Sequence, residues 1–311
     1  MMLKITADVF SGRPNPAWEV SDENEIRATL RELTSGAALL TADTPPGGLG
    51  LRGFRLEPHA DELASDFGIG SPMYLPVGPQ ALGPRAAELA ERLINLADRG
   101  EALTIEGAPA LETSATELLT AQLQEVSQLS RSTMTDTDRA TPEETVGAEA
   151  TCFYDRTAFN PGFWNNDATV MRCNNCYNYA SNWRTNTFAQ PGLGCGSIYQ
   201  SINCNEVTRA ALCDGMHRRF DCFPDSEIPR NLVALVIAPP PAFGNGDYHW
   251  FRYHLEGFWG HKPGGTAARN YDNSGVVINN PETANRGPYT IFCGYFYGCN
   301  TQRQRIRGFG C

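Results

Sequence analysis

From Leu3 to Phe10 apolar and polar residues alternate, with Leu3, Ile5, Ala7 and Val9 set against Lys4, Thr6 and Asp8. A period of two is that of a half-buried strand, and the run Ser11-Gly12-Arg13-Pro14-Asn15-Pro16 ends it in a turn. The period then becomes helical. Asp22 and Glu25 have capping-box spacing, and Ile26, Leu30 and Leu33 share one face up to Gly36. Gly48–Pro58 and Met73–Val77 predict strands, Pro84–Arg99 predicts an amphipathic helix stopped by Gly100, and Ser114–Leu129 predicts another, opened by Ser114 and Glu117. The first 131 residues therefore read as a small α+β domain. His59 is its only histidine, and no catalytic set gathers in it.

Residues 132–150, with Thr133, Asp136, Asp138, Pro142, Glu143 and Glu144, are polar, acidic and almost free of large apolar groups, which is linker composition. Beyond them, from 151 to 311, short runs are broken by Asn and Gly, the texture of a fold with many turns. Leu232–Ile237 is a continuous apolar run and predicts a buried strand that Pro239-Pro240-Pro241 cannot extend. Asp247–Leu255 and Phe258–His261 predict an aromatic-rich hairpin turning at Glu256-Gly257, and Val276–Ile278 and Tyr289–Phe296 would complete the sheet. The second domain is thus also α+β, with an antiparallel sheet. Cysteines at 195, 204, 213 and 222 recur every nine residues, but their surroundings do not repeat.

Composition sharpens this division. All ten cysteines lie from Cys152 onward, and such density points to disulfides formed in an extracellular or other oxidising compartment. The segment Met1–Trp18 lacks the apolar core of a signal peptide. Residues 1–150 carry 24 acidic against 11 basic side chains, and the rest 11 against 14, within a total of −10. That balance argues against nucleic acid and anionic lipid as partners, and no apolar stretch is long enough to span a membrane. No cofactor motif is read.

The chemistry-bearing segment is Arg172-Cys173-Asn174-Asn175-Cys176-Tyr177. Asn is a good N-cap, and a thiol in the first helical turn meets the positive end of the dipole, which favours the thiolate. A base would come from His217, His249, His254 or His261. With a two-residue turn at Glu256-Gly257, His249 and His261 fall on opposite faces of the hairpin. Asp272 or Asn273 would orient the imidazole, and Asn174, Asn175 or the Cys176 N–H would serve an oxyanion.

This order of Cys at a helix start, His on a strand and a polar orienter resembles the papain-like thiol hydrolases, including their small NlpC-type relatives. The resemblance covers three short segments between residues 173 and 275. It implies Cys176 as nucleophile, His249 as base and Asp272 or Asn273 as third member of a hydrolase or acyl transferase acting on amide or peptide bonds. Cys173 is an addition that the family does not require, and the Gln that precedes the family's nucleophile has no clear equivalent.

Three other readings stand beside it. A disulfide-stabilised, non-enzymatic binding module, lectin-like or toxin-like, would pair all its cysteines. A zinc site would use Cys173-x-x-Cys176 with further Cys or His. The aromatic stripe of Tyr248, Trp250, Phe251, Tyr253, Phe258, Trp259, Tyr295, Phe296 and Tyr297 would be core, or would line a groove for a peptide or glycan between the loops 190–194 and 262–265. One catalytic thiol would leave a second cysteine unpaired, Cys311 or Cys152. Substrate, pairing, oligomeric state and whether residues 1–131 form a recognition module or a prosegment stay open at this level.

Overall fold

The computed structural model describes residues 2–35, 39–42, 48–59, 67, 72–78, 83–103, 114–132, 154–219 and 227–311. The expected linker beyond residue 132, together with Cys152 and Cys222, lies outside them. The chain forms two compact units, and residues 10–14 cluster with the second.

In the first unit the elements run β1 (Leu3–Asp8), β2 (Ala17–Val20), α1 (Glu23–Ser35), β3 (Gly53–Pro58), β4 (Met73–Pro76), α2 (Pro84–Ala97), β5 (Glu101–Leu103) and α3 (Ala115–Ser132). The strands make an antiparallel sheet in the order β4-β3-β1-β2-β5. The predicted alternation is realised, since Leu3, Ile5 and Ala7 are buried with Phe54, Leu56 and Leu75. Asp22 caps α1, its Oδ1 accepting from Asn24 and Glu25 N–H at 2.8 and 3.1 Å. Leu89, Leu93, Leu119 and Leu123 complete the core. β2 and β5 escaped prediction: one follows two prolines and is four residues long, and the other is a fully exposed edge without alternation.

A buried ion pair with its own hydrogen-bond partners sits in this unit. Asp8 accepts from Arg52 at 2.7 Å and from Asn15 at 2.9 Å, and the Tyr74 hydroxyl donates to it at 3.2 Å. Burial by itself would raise the Asp8 pKa, but the Arg52 guanidinium outweighs it and holds the carboxyl below its ordinary value.

The second unit continues with α4 (Gly162–Asn165), α5 (Ala168–Cys173), α6 (Cys176–Ala180), β6 (Phe188–Gln190), α7 (Cys204–Cys213), β7 (His217–Arg218), β8 (Asn231–Ala238), β9 (Asp247–Tyr253), β10 (Trp259–His261), β11 (Ile291–Gly298), α8 (Asn300–Arg305) and β12 (Arg307–Phe309). Its main sheet is antiparallel in the order β10-β9-β8-β11-β7, and β12 pairs with β6. β8 is buried along its whole length, as its unbroken apolar run requires. On one face Val233, Leu235, Tyr248 and Trp250 pack with Cys176, Tyr177, Val207 and Ala211. Val276–Ile278 is not a strand of the sheet. Val276 and Val277 are exposed and a lone bridge joins Val277 to Tyr271, while Ile278 is buried and its carbonyl accepts from the Trp259 N–H at 2.8 Å, so the segment touches the sheet edge at one residue without pairing as a strand.

Among the described residues three disulfides join Cys173 to Cys311, Cys195 to Cys213 and Cys204 to Cys293. Cys311, one of the two cysteines expected to be left over, is therefore paired, and Cys152, the other, lies outside the described residues. Cys293 sits in a register irregularity between Phe292 and Gly294 of β11, which redirects one side chain out of the alternation.

The β9–β10 hairpin corrects a second expectation. His261 pairs with Phe251 and Trp259 with Tyr253, because the His254 N–H bonds the Phe258 carbonyl at 3.0 Å around a turn one residue longer than predicted. A one-residue slip reverses the face of every side chain on the returning strand. His249 and His261 consequently share a face, with Nε2 of one 2.8 Å from Nδ1 of the other.

Candidate functional site

Asn175 caps α6 as its sequence implies. Its Oδ1 accepts from Tyr177 and Asn178 N–H at 3.1 and 3.2 Å, and Asn178 Oδ1 accepts from the Asn175 N–H at 3.1 Å. Cys176 thus occupies the first helical turn. It is also fully buried, its Sγ 3.9 Å from the Tyr248 carbonyl oxygen. Burial, and then the charge of Asp247, push its thiol pKa well above the ordinary value. The expected thiolate is a protonated core thiol, because desolvation opposes the end effect of a helix only five residues long.

The other expected members lie elsewhere. Tyr248 and Trp250 face Cys176, so strand alternation turns His249, between them, to the opposite side of the sheet. There its ring meets Phe251, His261 and Tyr289 at centroid distances of 4.8, 5.0 and 5.8 Å. Asp272 organises its own loop, accepting from Ser274, Val276 and Asn285 N–H at 2.9, 3.1 and 2.8 Å, and the Asn273 N–H bonds the Asn285 carbonyl. Asn174 donates to Val170 O and Asn186 Oδ1 and accepts from Thr185 and Asn186 N–H. Asn175 donates to the Gly12 and Ala189 carbonyls at 2.8 and 2.7 Å. Both amides are engaged in holding the backbone and do not face an oxyanion position.

What surrounds Cys176 is a lock around the turn at residues 11–13. The Gly12 carbonyl accepts from Asn175 Nδ2 at 2.8 Å, Gln190 Nε2 at 2.7 Å and Tyr248 Oη at 3.0 Å. From the other side the buried Asp247 carboxylate accepts from the N–H groups of Ser11 at 2.6 Å, Gly12 at 3.3 Å and Arg13 at 3.2 Å, and from the Tyr289 hydroxyl at 2.5 Å. Successive N–H groups around one carboxylate form an anion nest. Arg13 donates to the Gly246 carbonyl at 2.7 Å and stacks over Phe10. Burial raises the Asp247 pKa, although these donors pull it down. A side chain at position 12 would collide with the Tyr248 ring, 2.3 Å from an ideal Cβ, which explains the glycine.

The remaining site expectations also meet the core. Lys262, in one of the loops expected at a groove end, is buried and donates to the Met171, Asn174 and Gly264 carbonyls. Tyr248, Trp250, Phe251, Trp259, Phe296 and Tyr297 are buried, so most of the aromatic stripe is packing. Cys173 is oxidised, which removes Cys173-x-x-Cys176 as a zinc site. Among the described residues one other donor group gathers, His217, Glu227 and Cys299, whose donor atoms lie within 4.8 Å of one another.

No family model and no solved structure matches the chain. Among curated proteins it is 45% identical over 139 residues, 45% of this chain and 88% of the relative, to insoluble matrix shell protein 1 of Ruditapes philippinarum. That finding overturns the expected thiol hydrolase, peptidase or acyl transferase in favour of the non-enzymatic, disulfide-stabilised alternative. No described helix is long and apolar enough to cross a membrane.

Proposed function

We propose that this chain, which belongs to the family of insoluble matrix shell protein 1, is a secreted, non-catalytic component of an insoluble extracellular matrix, held there by binding other matrix components. The observation that carries the reading is the 45% identity over 88% of the relative. The site chemistry agrees with it: the helix-start thiol is buried and protonated, and no base faces it from the neighbouring strand.

The cross-links suit a protein that must persist outside the cell. Sequence separations of 138, 89 and 18 residues correspond to loop-closure stabilisations of about 5, 4.6 and 3 kcal/mol if each bridge acted alone. The loops overlap in sequence, so these figures do not add. They still show that the long closures at Cys173–Cys311 and Cys204–Cys293 restrict the unfolded chain more than the local one does.

Sequential extraction of the source's extracellular matrix, followed with an antibody to the chain, tests the assignment. The reading expects the protein in the residue left after salt and chelator washes. Recovery wholly in the soluble cell extract would overturn it.

A further inference from the structure

β7 is the edge strand of the second unit's sheet and pairs with the end of β11, His217 opposite Tyr297. Immediately beyond β11, Cys299 stands at the N-cap position of α8 without bonding its N–H groups, and Glu227 lies on the approach to β8. An edge strand, a strand end and a connecting segment therefore bring three unlike donors together. His217 Nε2 is 3.5 Å and Cys299 Sγ 3.3 Å from Glu227 Oε2, and all three atoms fall within 4.8 Å of each other.

These separations have a chemical meaning. Around tetrahedral zinc, with Zn–S about 2.3 Å and Zn–N or Zn–O about 2.0–2.1 Å, ligand atoms stand roughly 3.3–3.6 Å apart. The two separations from Glu227 Oε2 already match. An imidazole, a thiolate and a carboxylate are the donor types that zinc accepts together, whereas calcium calls for about six to eight oxygens.

The surroundings fit an ion as well. Cys299 is a free cysteine, while six others in this unit are bonded in pairs. Its sulfur faces two acceptors, the Gly215 carbonyl at 3.0 Å and Glu227 Oε2 at 3.3 Å, yet a thiol has one proton to give. A cation in place of that proton would satisfy the sulfur and the carboxylate together. Thr301 bonds the Glu227 side chain and steadies its orientation. The His217 and Glu227 side chains are 20% and 28% exposed, which leaves an entry path and a fourth position for water.

We propose that His217, Glu227 and Cys299 form a binding site for zinc(II) or a cation of its class. On binding, the Cys299 S–H bond gives its proton to solvent and the S–metal bond forms. The dication, thiolate, carboxylate and neutral imidazole then sum to zero charge, and no redox partner is needed. The inference is independent of the matrix role, because its test reads metal binding by the purified chain.

The experiment titrates cobalt(II), zinc(II) and calcium into the untagged, metal-free full chain with disulfides intact. Expected are one cobalt per chain, a thiolate-to-cobalt charge-transfer band that zinc abolishes by displacement, and no competition from calcium. Cys299→Ser should remove the band and weaken zinc binding at least tenfold. His217→Gln, at a partly exposed position, should also weaken zinc binding at least tenfold with an unchanged circular dichroism spectrum, which covers the case of a misfolded Cys299→Ser chain. Absence of the band, its survival in Cys299→Ser, displacement of cobalt by calcium, or an unaltered zinc affinity in His217→Gln would each overturn the site.

Discussion

Acidification should destabilise the second unit through its buried imidazoles, and His254 allows the effect to be isolated. Its Nδ1 lies 3.1 Å from the Thr157 carbonyl, so it carries the proton, and Nε2 accepts from the Tyr179 hydroxyl at 2.7 Å. Both ring nitrogens are satisfied in the neutral form. Burial, and then the Arg252 charge, lower the pKa from 6.5 to about 4. A depressed base leaves stability intact above the unfolded value. As pH falls from 6.5 towards 4, the unfolded chain takes up a proton that the folded chain refuses, and stability is lost. At about pH 5 the loss is about 2 kcal/mol, and it approaches roughly 3.4 kcal/mol below the folded pKa. His261, depressed by burial and Arg269, adds a loss of the same sign. The raised carboxyls of Asp214 and Asp247 act oppositely, so the comparison must be made between chains that share them. Guanidinium unfolding of wild type and His254→Gln, disulfides intact, would be followed by tryptophan fluorescence, for which Trp164 against Tyr179 is a local reporter. Between about pH 7.5 and pH 5 the variant should lose about 2 kcal/mol less than wild type. An equal loss in both chains would refute the assignment, whatever the variant's absolute stability.

Three further outcomes follow from the same geometry. Gly12→Ala places a methyl against the Tyr248 ring and should cost about 1–3 kcal/mol by overpacking, read as a lowered Tm by calorimetry; an unchanged Tm would contradict the lock. Brief iodoacetamide treatment of the native chain at neutral pH should leave Cys176 unlabelled, whereas the denatured chain should label it fully. Mass mapping of a native adduct on Cys176 would show that the thiol is accessible after all. Replacing Cys173 and Cys311 together by Ser should destabilise the chain by about 2–5 kcal/mol, and more than the same pair change at Cys195 and Cys213, because the closed loop is longer. Equal unfolding midpoints for the two double variants would go against the loop-closure argument.

Much of the local structure was legible in the chain itself, and for local reasons. The period of Leu3–Asp8, the Asp22 cap, the apolar run of β8 and the Asn175 cap before Cys176 all depend on residues within one turn or one strand. The cysteine density announced the bridges, three of which are seen. Short elements with no alternation, such as β5, carried no such signal.

Periodicity and capping are properties of neighbours, so the chain alone announces the longer helices and strands of the first unit, β8, β9 and the cross-linking of the cysteine-rich part, while short elements such as β2, β5, β6 and β12 carry no such signal. What the candidate residues do was set by packing and pairing across the fold. One extra residue in the β9–β10 turn brought His261 to the face of His249. Strand alternation put that face opposite Cys176, and burial reversed the pKa that the helix start implied. Contacts across 235 residues turned Gly12 and Asp247 into a lock. Register, desolvation and long-range pairing depend on what the rest of the chain places nearby, and no window of adjacent residues contains that information.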